Sequence, residues 1–222
     1  PAADGASLKI VAGVGEIPGD FTPEAIVFAL KPQVIKDAIA DYSHLMLDRT
    51  LVISIAAGVP ISVFQAEFGE TAAVVRAMPN TPAAIGRGIT VACAGRGLDD
   101  GQKELCQDLL EAVGEFAWVG EEGLLDAVTA VSGSGPAYVF LLMECLAEAG
   151  AEAGLEPELA ARLALATVSG AGELARRSAD SPTTLRRNVT SPNGTTEAAL
   201  KVLMGSSGLG PLLKAAVAAA AA

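Results

Sequence analysis

The sequence predicts an α/β domain followed by an all-α domain, with the change at about residue 120. Up to residue 119, short runs rich in Val, Ile and Ala, bounded by Gly or Pro, alternate with runs whose apolar residues have helical spacing. After Gly120 only the helical pattern remains. We therefore predict domains at 1–120 and 121–222, the first of them built on a largely parallel sheet.

The predicted strands are the β-type runs of the first domain. Strands covered on both faces of a sheet read as continuous apolar runs, and these runs have that character. The segments between them, such as KPQVIKDAIADY and DDGQKELCQDLLEAVG, have the spacing of crossover helices. Strands are predicted at 25–30, 50–58, 72–78, 88–95 and 116–120.

The second domain is predicted to be a set of helices. Its first two helices are apolar nearly all round, and a small lone bundle offers little to bury such surfaces. We therefore expect a partner subunit to cover them, in a homodimer formed through this domain. The helices are predicted at 132–155, 156–178, 181–188, 195–206 and 210–222.

The composition excludes several classes of protein. A formal net charge of −11 argues against a nucleic-acid-binding protein, which needs a basic surface. No segment resembles a signal peptide, and Glu, Gly or Pro interrupts each apolar stretch before the roughly 20 residues that a membrane span requires. The three cysteines share no close spacing, so we expect neither disulfides nor a metal site, and a cytoplasmic location.

The segment LKIVAGVGEIPGDF, residues 8–21, has some features of the glycine-rich turn that binds a dinucleotide. Gly13 and Gly15 match the G-x-G-x-x-G pattern, but Pro18 stands in the place of the third glycine. Proline removes a hydrogen-bond donor and disfavours helical geometry in the residue before it, so the required helix is not expected. We interpret the segment as a strand that leaves the sheet through a loop.

Three predicted strands end in specialised loops. ALKPQ (29–33), SIAAGVP (54–60) and AMPNTPAAIG (77–86) each follow a β-type run. Ligands of open α/β sheets bind outside the carboxyl ends of the strands, where Lys31 and Asn80 would lie. Each loop alone also fits a simpler interpretation, either an exposed lysine before a helix-starting proline or a rigid turn. The three loops together favour a binding crevice.

A fourth loop, NVTSPNGTTEAAL (188–200), leads into a predicted helix. Pro192, Asn193 and Gly194 predict a tight turn, with the helix starting near Thr195. No acidic residue stands three places after Thr195, so we expect the first N–H groups of the helix to be free of a capping box. Those groups and the helix dipole can bind a small carboxylate. A helix capped by Thr195 alone is the alternative interpretation.

Five motifs, taken in order along the chain, are typical of one enzyme family. They are VFALKPQ, SIAAGV, VVRAMPNTP, DAVTAVSGSGPAYVF and NVTSPNGTT. From about Ala25 to Ala222 the chain resembles the pyrroline-5-carboxylate reductases. This resemblance implies a Rossmann-like N-terminal domain and a helical dimerisation domain. It also implies hydride transfer from NADP(H) or NAD(H) to the C=N carbon of 1-pyrroline-5-carboxylate, giving L-proline, in a homodimer or a pentamer of dimers.

The resemblance also assigns roles to individual residues. Thr196 is implied as the catalytic group, with its hydroxyl next to the ring nitrogen, and Glu122 as an acid on the substrate side. The implied substrate-binding residues are Glu122, Val189, Ser191, Gly194, Thr195 and Thr196, and the implied cofactor-binding residues are Leu30, Lys31, Pro32, Ala56, Ala57, Asn80, Thr81 and Asn188.

Two features depart from the family pattern. Asn193 stands where the family usually has Gly, and since Asn tolerates left-handed geometry we expect the turn to persist. The family also opens with a strand and a true glycine-rich turn well before its KP strand, and we expect that first unit to be missing from this sequence. The residues that would choose between NADPH and NADH belong to it.

Two other functions compete with the reductase. One is a catalytically inactive fragment or helical dimer scaffold that lacks the dinucleotide fingerprint. The other is a reductase of the same two-domain layout, such as a β-hydroxyacid dehydrogenase. That enzyme would be expected to carry a catalytic lysine in the first long helix of the helical domain, and residues 134–154 contain no lysine.

Overall fold

A computed structural model describes residues 8–221, which form two compact units divided between Val128 and Thr129. The division lies beyond residue 120 because the short helix α4 (Leu124–Val128) belongs to the first unit. Its Leu125 is fully buried in the core that covers one face of the sheet.

The first unit contains a five-stranded sheet in which sequence neighbours are also spatial neighbours. Each strand coincides with one of the predicted β-type runs to within a few residues. The strands are β1 (Ala25–Phe28), β2 (Leu51–Ser54), β3 (Val74–Met78), β4 (Gly88–Ala94) and β5 (Gly114–Val119).

The direction of the strands reverses once across the sheet. β1, β2 and β3 run parallel to one another, whereas β4 runs antiparallel to β3 and parallel to β5. Only the 3-10 helix Thr81–Ile85 and its flanking turns join β3 to β4, and a parallel crossover needs a dozen or more residues. The carboxyl ends of β1, β2 and β3 therefore share one edge of the sheet.

Helices cover both faces of this sheet. The connections contain α1 (Pro32–Ala38), a 3-10 helix (Ile39–Leu45), α2 (Ile61–Phe68) and α3 (Asp100–Glu111). On one face the ring of Phe28 lies 5.3 Å from the rings of both Tyr42 and Phe64. On the other face Cys106 of α3 is buried, and this burial raises the pKa of its thiol to about 12.

The segment that precedes the sheet corrects one prediction. Residues 8–13 form no strand, and the only regular structure before β1 in the described part of the chain is a single 3-10 turn, Val14–Glu16. The predicted strand is wrong because no neighbouring strand pairs with these residues, and Leu8 and Ile10 are 83% and 85% exposed. No long helix follows the glycines, as the dinucleotide fingerprint would require.

The second unit is helical, as predicted. It begins with a π-helical turn (Thr129–Gly133). The helices that follow are α5 (Gly135–Glu152), α6 (Pro157–Arg177), α7 (Pro182–Asn188), α8 (Thr195–Leu203) and α9 (Leu209–Ala220).

A left-handed glycine ends α5 and starts the turn into α6. Gly154 has φ of 99°, its N–H donates to the carbonyl of Ala151, and the next N–H, of Leu155, donates to Gly150. This pair of bonds is the Schellman motif, in which glycine reverses the chain without steric cost. A Cβ built on Gly150 would lie 3.2 Å from Ala160 Cβ, so small residues let α5 and α6 approach closely.

Large apolar side chains remain exposed over much of the second unit. Phe140 and Leu141 of α5 are each 57% exposed, and α6, α8 and α9 also expose leucines or valines. By length and composition, the helical stretch Leu124–Glu152 is also apolar enough to cross a membrane, which the sequence prediction did not anticipate. Exposed apolar patches of this kind are typical of surfaces that a protein partner or a membrane covers.

Candidate functional site

The three strand-end loops meet at one edge of the sheet. Phe28, near the end of β1, is in register with Ser54 at the end of β2, and Ser54 is in register with Arg76 of β3. The loops that follow these strands carry seven of the predicted cofactor-binding residues. The parallel strands therefore bring the three loops to one edge of the sheet, as the sequence predicts.

The loop after β1 presents a lysine to solvent. Leu30 packs against the core beneath the sheet edge. Lys31 is the N-terminal flanking residue of α1, with extended backbone and an exposed side chain, and Pro32 occupies the first helical turn. Pro32 fixes the start of α1 and thereby holds Lys31 at the edge, where its cation is free to meet an anionic ligand.

The loop after β2 exposes backbone in place of long side chains. Ala56 is buried and its N–H donates to Ser54 Oγ at 3.3 Å, whereas Ala57 is exposed. Gly58 has φ of 71°, a conformation that most side chains avoid. Small residues and a left-handed glycine leave room for a ligand to approach the main chain.

The loop after β3 is fixed by its asparagine. The Oδ1 atom of Asn80 accepts a hydrogen bond from the N–H of Ile89 at 3.0 Å, which ties the loop to the start of β4. The amide nitrogen of the same side chain remains available as a donor. Thr81 is exposed at the beginning of the 3-10 helix. Asn80 thus has a structural contact and can still contact a ligand.

In the second unit, the predicted turn forms between α7 and α8. The N–H of Gly194 donates to the carbonyl of Ser191 at 3.1 Å, and Asn193 has φ of 60°. The expectation that Asn193 adopts left-handed geometry is therefore confirmed. Asn188 ends α7, and Val189 and Ser191 are exposed in the turn.

The start of α8 differs from the prediction in one respect. The helix begins at Thr195 with Gly194 as its flanking residue, so the third helical position is Glu197. Glu197 Oε2 accepts a hydrogen bond from the N–H of Asn193 at 2.7 Å, a contact that was not predicted. Asn193 precedes the N-cap residue, so this contact is not a capping box, and the helix N–H groups are free of one, as expected. No side chain in the described part of the chain caps α8 itself, and its first N–H groups face outward without intrahelical acceptors.

Glu122 lies elsewhere in the first unit. Its Oε1 atom accepts hydrogen bonds from the N–H of Ile61 at 2.8 Å and from Arg76 Nη1 at 3.3 Å. It also lines an open cavity of about 400 Å³, and no other predicted site residue within 8–221 lines that cavity. One carboxylate oxygen of Glu122 is therefore already bound within the first unit.

Arg76 is a central residue to which the sequence analysis gave no role. Its side chain is 9% exposed, and it also contacts Asp126 Oδ1 at 3.4 Å. An arginine inside an otherwise apolar strand signals a buried charge pair, because such a charge is not buried alone. The same group of charges acts on Cys93, whose thiol pKa is raised by burial and by Glu122, against a lowering effect of Arg76.

The chemistry that these residues offer is recognition of anions and small polar groups. The first unit offers a cation, open backbone and an amide donor along one sheet edge. The second offers helix N–H groups and threonine hydroxyls beside a fixed turn. No cluster of metal-ligating side chains occurs within residues 8–221. Each of the two sets, taken by itself, suits the binding of a charged organic group.

A family profile matches the second part of the chain. Residues 122–222 match the family described as pyrroline-5-carboxylate reductase dimerisation. The chain is also 46% identical over 178 residues to the pyrroline-5-carboxylate reductase of Pseudomonas aeruginosa, a match that covers 80% of this chain and 65% of that protein. This chain therefore spans just under two thirds of the length of that relative.

Two solved structures are similar to the whole architecture. A pyrroline-5-carboxylate reductase from Coxiella burnetii superimposes with a TM-score of 0.84 at 40% identity, covering 89% of this chain and 73% of that one. The Plasmodium falciparum pyrroline carboxylate reductase, solved with NADP bound, gives a TM-score of 0.81 at 30% identity and covers 100% of this chain and 82% of that one.

We expect Glu122→Ala to lower the free energy of unfolding by about 2–3 kcal/mol, because it leaves the buried Arg76 cation with only a solvent-exposed partner. Asp126→Ala is the matched control. Its carboxylate is 60% exposed, so we expect a loss below about 1 kcal/mol. Urea unfolding followed by the fluorescence of Trp118 measures both values. Equal losses for the two variants would contradict a central role for the Glu122–Arg76 pair.

Proposed function

This chain belongs to the pyrroline-5-carboxylate reductase family, and we propose that it acts in reducing 1-pyrroline-5-carboxylate to L-proline, the last step of proline biosynthesis, with NADPH or NADH as the hydride donor. The observation that carries the proposal is the match to the NADP-bound reductase, because that structure covers this chain from end to end. The alternatives are an inactive fragment and a helical dimer scaffold.

The cofactor is proposed to lie along the shared edge of β1, β2 and β3. The open backbone at Ala56 and Ala57 fits a ligand that must come close to the main chain, and Lys31 fits its negative charge. Leu30, Pro32, Asn80, Thr81 and Asn188 complete the proposed set. When bound, the cofactor supplies the hydride.

The substrate carboxylate is proposed to bind at the turn before α8. The backbone N–H groups of Thr195 and Thr196, at the positive end of the helix dipole, match a carboxylate in charge and direction. The Ser191 hydroxyl and the backbone of Val189 and Gly194 lie in the same turn. Glu122 is proposed to act as a substrate-side acid through its second carboxylate oxygen, because its Oε1 atom binds Ile61 and Arg76.

These residues are proposed to act mainly by orienting the substrate ring against the cofactor. Fixing the carboxylate fixes the ring, and such positioning can lower a barrier by roughly 7–11 kcal/mol in favourable cases. In the reaction the C=N carbon gains a hydride and the ring nitrogen keeps a proton, so the nitrogen loses its positive charge as the C=N bond becomes single. The Thr196 hydroxyl is proposed to hydrogen-bond this nitrogen and so polarise the bond.

The chain is proposed to form a homodimer through its second unit. The exposed apolar faces of α5 and α6 need a cover, and the matching family profile describes dimerisation. A second copy explains these faces without a membrane, since Glu144 and Glu148 interrupt the apolar surface of α5. Further assembly into a pentamer of dimers is part of the proposal.

The proposed location is the cytoplasm. Cys93, Cys106 and Cys145 are all free thiols, which fits a reducing compartment. The net charge of −11 fits a protein without a nucleic-acid partner.

The first experiment is imine-dependent oxidation of NADPH, and of NADH, by the purified full chain, with the intact mass of the sample recorded. We expect turnover that depends on both 1-pyrroline-5-carboxylate and the cofactor. Absence of turnover in a sample whose mass equals that of the 222 residues would favour the inactive-fragment alternative.

Replacing Thr196 tests the catalytic assignment. We expect Thr196→Ala to lower kcat by more than about tenfold, because the ring nitrogen loses its hydrogen-bond partner, while Thr196→Ser retains most of the activity. Thr183→Ala, which removes an exposed hydroxyl from α7, serves as the control. Unchanged kinetics in Thr196→Ala would exclude this role.

Replacing an exposed leucine tests the dimer. We expect Leu141→Glu to raise the dimer dissociation constant by at least about tenfold, because it places a charge in an apolar interface. Glu104→Gln, on an exposed position of α3 in the first unit, is the control and should leave association unchanged. Sedimentation over a range of concentrations measures both, and a monomeric unaltered chain would refute the proposed dimer.

A further inference from the structure

The turn that precedes α8 contains the one non-glycine residue with positive φ among residues 8–221. Asn193 has φ of 60°, and it occupies the third position of the turn closed by the Gly194–Ser191 hydrogen bond. Asparagine visits this conformation more readily than most residues, but it does so at a cost that glycine does not have. The turn therefore needs other contacts to keep its native form.

A hydrogen bond to Glu197 stabilises the backbone at Asn193. Glu197 Oε2 accepts the N–H of Asn193 at 2.7 Å, which is a short, charge-assisted hydrogen bond. The other oxygen of the same carboxylate lies 3.7 Å from Lys201 Nζ, one helical turn further along α8. Glu197 thus joins the strained residue of the turn to the body of the helix.

We propose that Glu197 is a positioning residue that holds the Ser191–Thr196 turn in the form that binds substrate. The inference rests on the proposed function, because the turn is taken to bind the substrate carboxylate. Glu197 touches neither substrate nor cofactor in this account. It acts through the backbone of Asn193, which sets the direction of the N–H groups that follow.

If Glu197 acted only through its charge, its removal would change KM in the opposite direction to that expected for a positioning residue. A carboxylate near the start of α8 repels a substrate carboxylate, so removing it would then lower KM for the imine. Lys201 neutralises part of that charge, and Arg186 and Arg187 line the same open cavity as Glu197. The sign of the change in KM therefore separates positioning from repulsion.

The test compares Glu197→Ala and Glu197→Gln with the unaltered full chain in the NADPH assay. We expect KM for the imine to rise about threefold to tenfold in Glu197→Ala, with KM for NADPH unchanged. Glu197→Gln keeps an acceptor oxygen and should lie between Glu197→Ala and the unaltered chain. Glu158→Ala, which removes a carboxylate from the first turn of α6, is the matched control and should change neither constant.

A second measurement links the effect to Asn193. Since glycine adopts positive φ freely, the effect of Glu197→Ala on KM should be clearly smaller in an Asn193→Gly background. Amide hydrogen exchange at residue 193 should also accelerate in Glu197→Ala. A lowered or unchanged KM for the imine in Glu197→Ala would overturn the proposal.

The exchange measurement does not depend on turnover. If the unaltered chain reduces no imine, the proposed function fails, and positioning of a substrate turn fails with it even where exchange accelerates. If the unaltered chain is active and Glu197→Ala keeps the same KM, only the positioning role fails.

Discussion

The direction of the first three strands is the constraint on which the proposed cofactor site depends. Because β1, β2 and β3 are parallel, their carboxyl ends meet at one edge, and the loops that carry Lys31, Ala57 and Asn80 become neighbours. The short connection after β3 then forces β4 to turn back. Asn80 belongs to this connection. It follows β3, the last of the three parallel strands, and its side chain accepts a hydrogen bond from Ile89 at the start of β4.

The ion pair between Arg76 and Glu122 helps to hold these loops in place. Arg76 lies in the strand that leads to Asn80, and Glu122 connects it to the N-terminus of α2, which follows the loop containing Ala57. One carboxylate thus fixes the bases of two of the loops at this edge. A polar contact inside an apolar layer is costly unless every partner is present, so this arrangement also limits which substitutions the first unit tolerates.

The sequence predicted the strands, the helices and the turn before α8, because each depends on local patterns of apolar residues, Gly and Pro. It did not predict the antiparallel step between β3 and β4, although the length of the connection could have indicated it. The strand at residues 8–13 was wrong, since an apolar run forms a strand only where another strand pairs with it. The contact of Glu197 was not predicted because Thr195 was taken as the N-cap residue. In the structure Gly194 is the N-cap residue, so Glu197 occupies the third helical position.

The exposed leucines of the second unit have a consequence for how the protein behaves at different abundances. In the proposed dimer a second copy covers these apolar faces, so the unit gains stability from mass action and its unfolding midpoint increases with chain concentration. A newly made chain that has not yet met a second copy exposes these surfaces to other proteins. Dilution and slow synthesis would therefore affect this unit more than the sheet unit, whose two core clusters form within one chain.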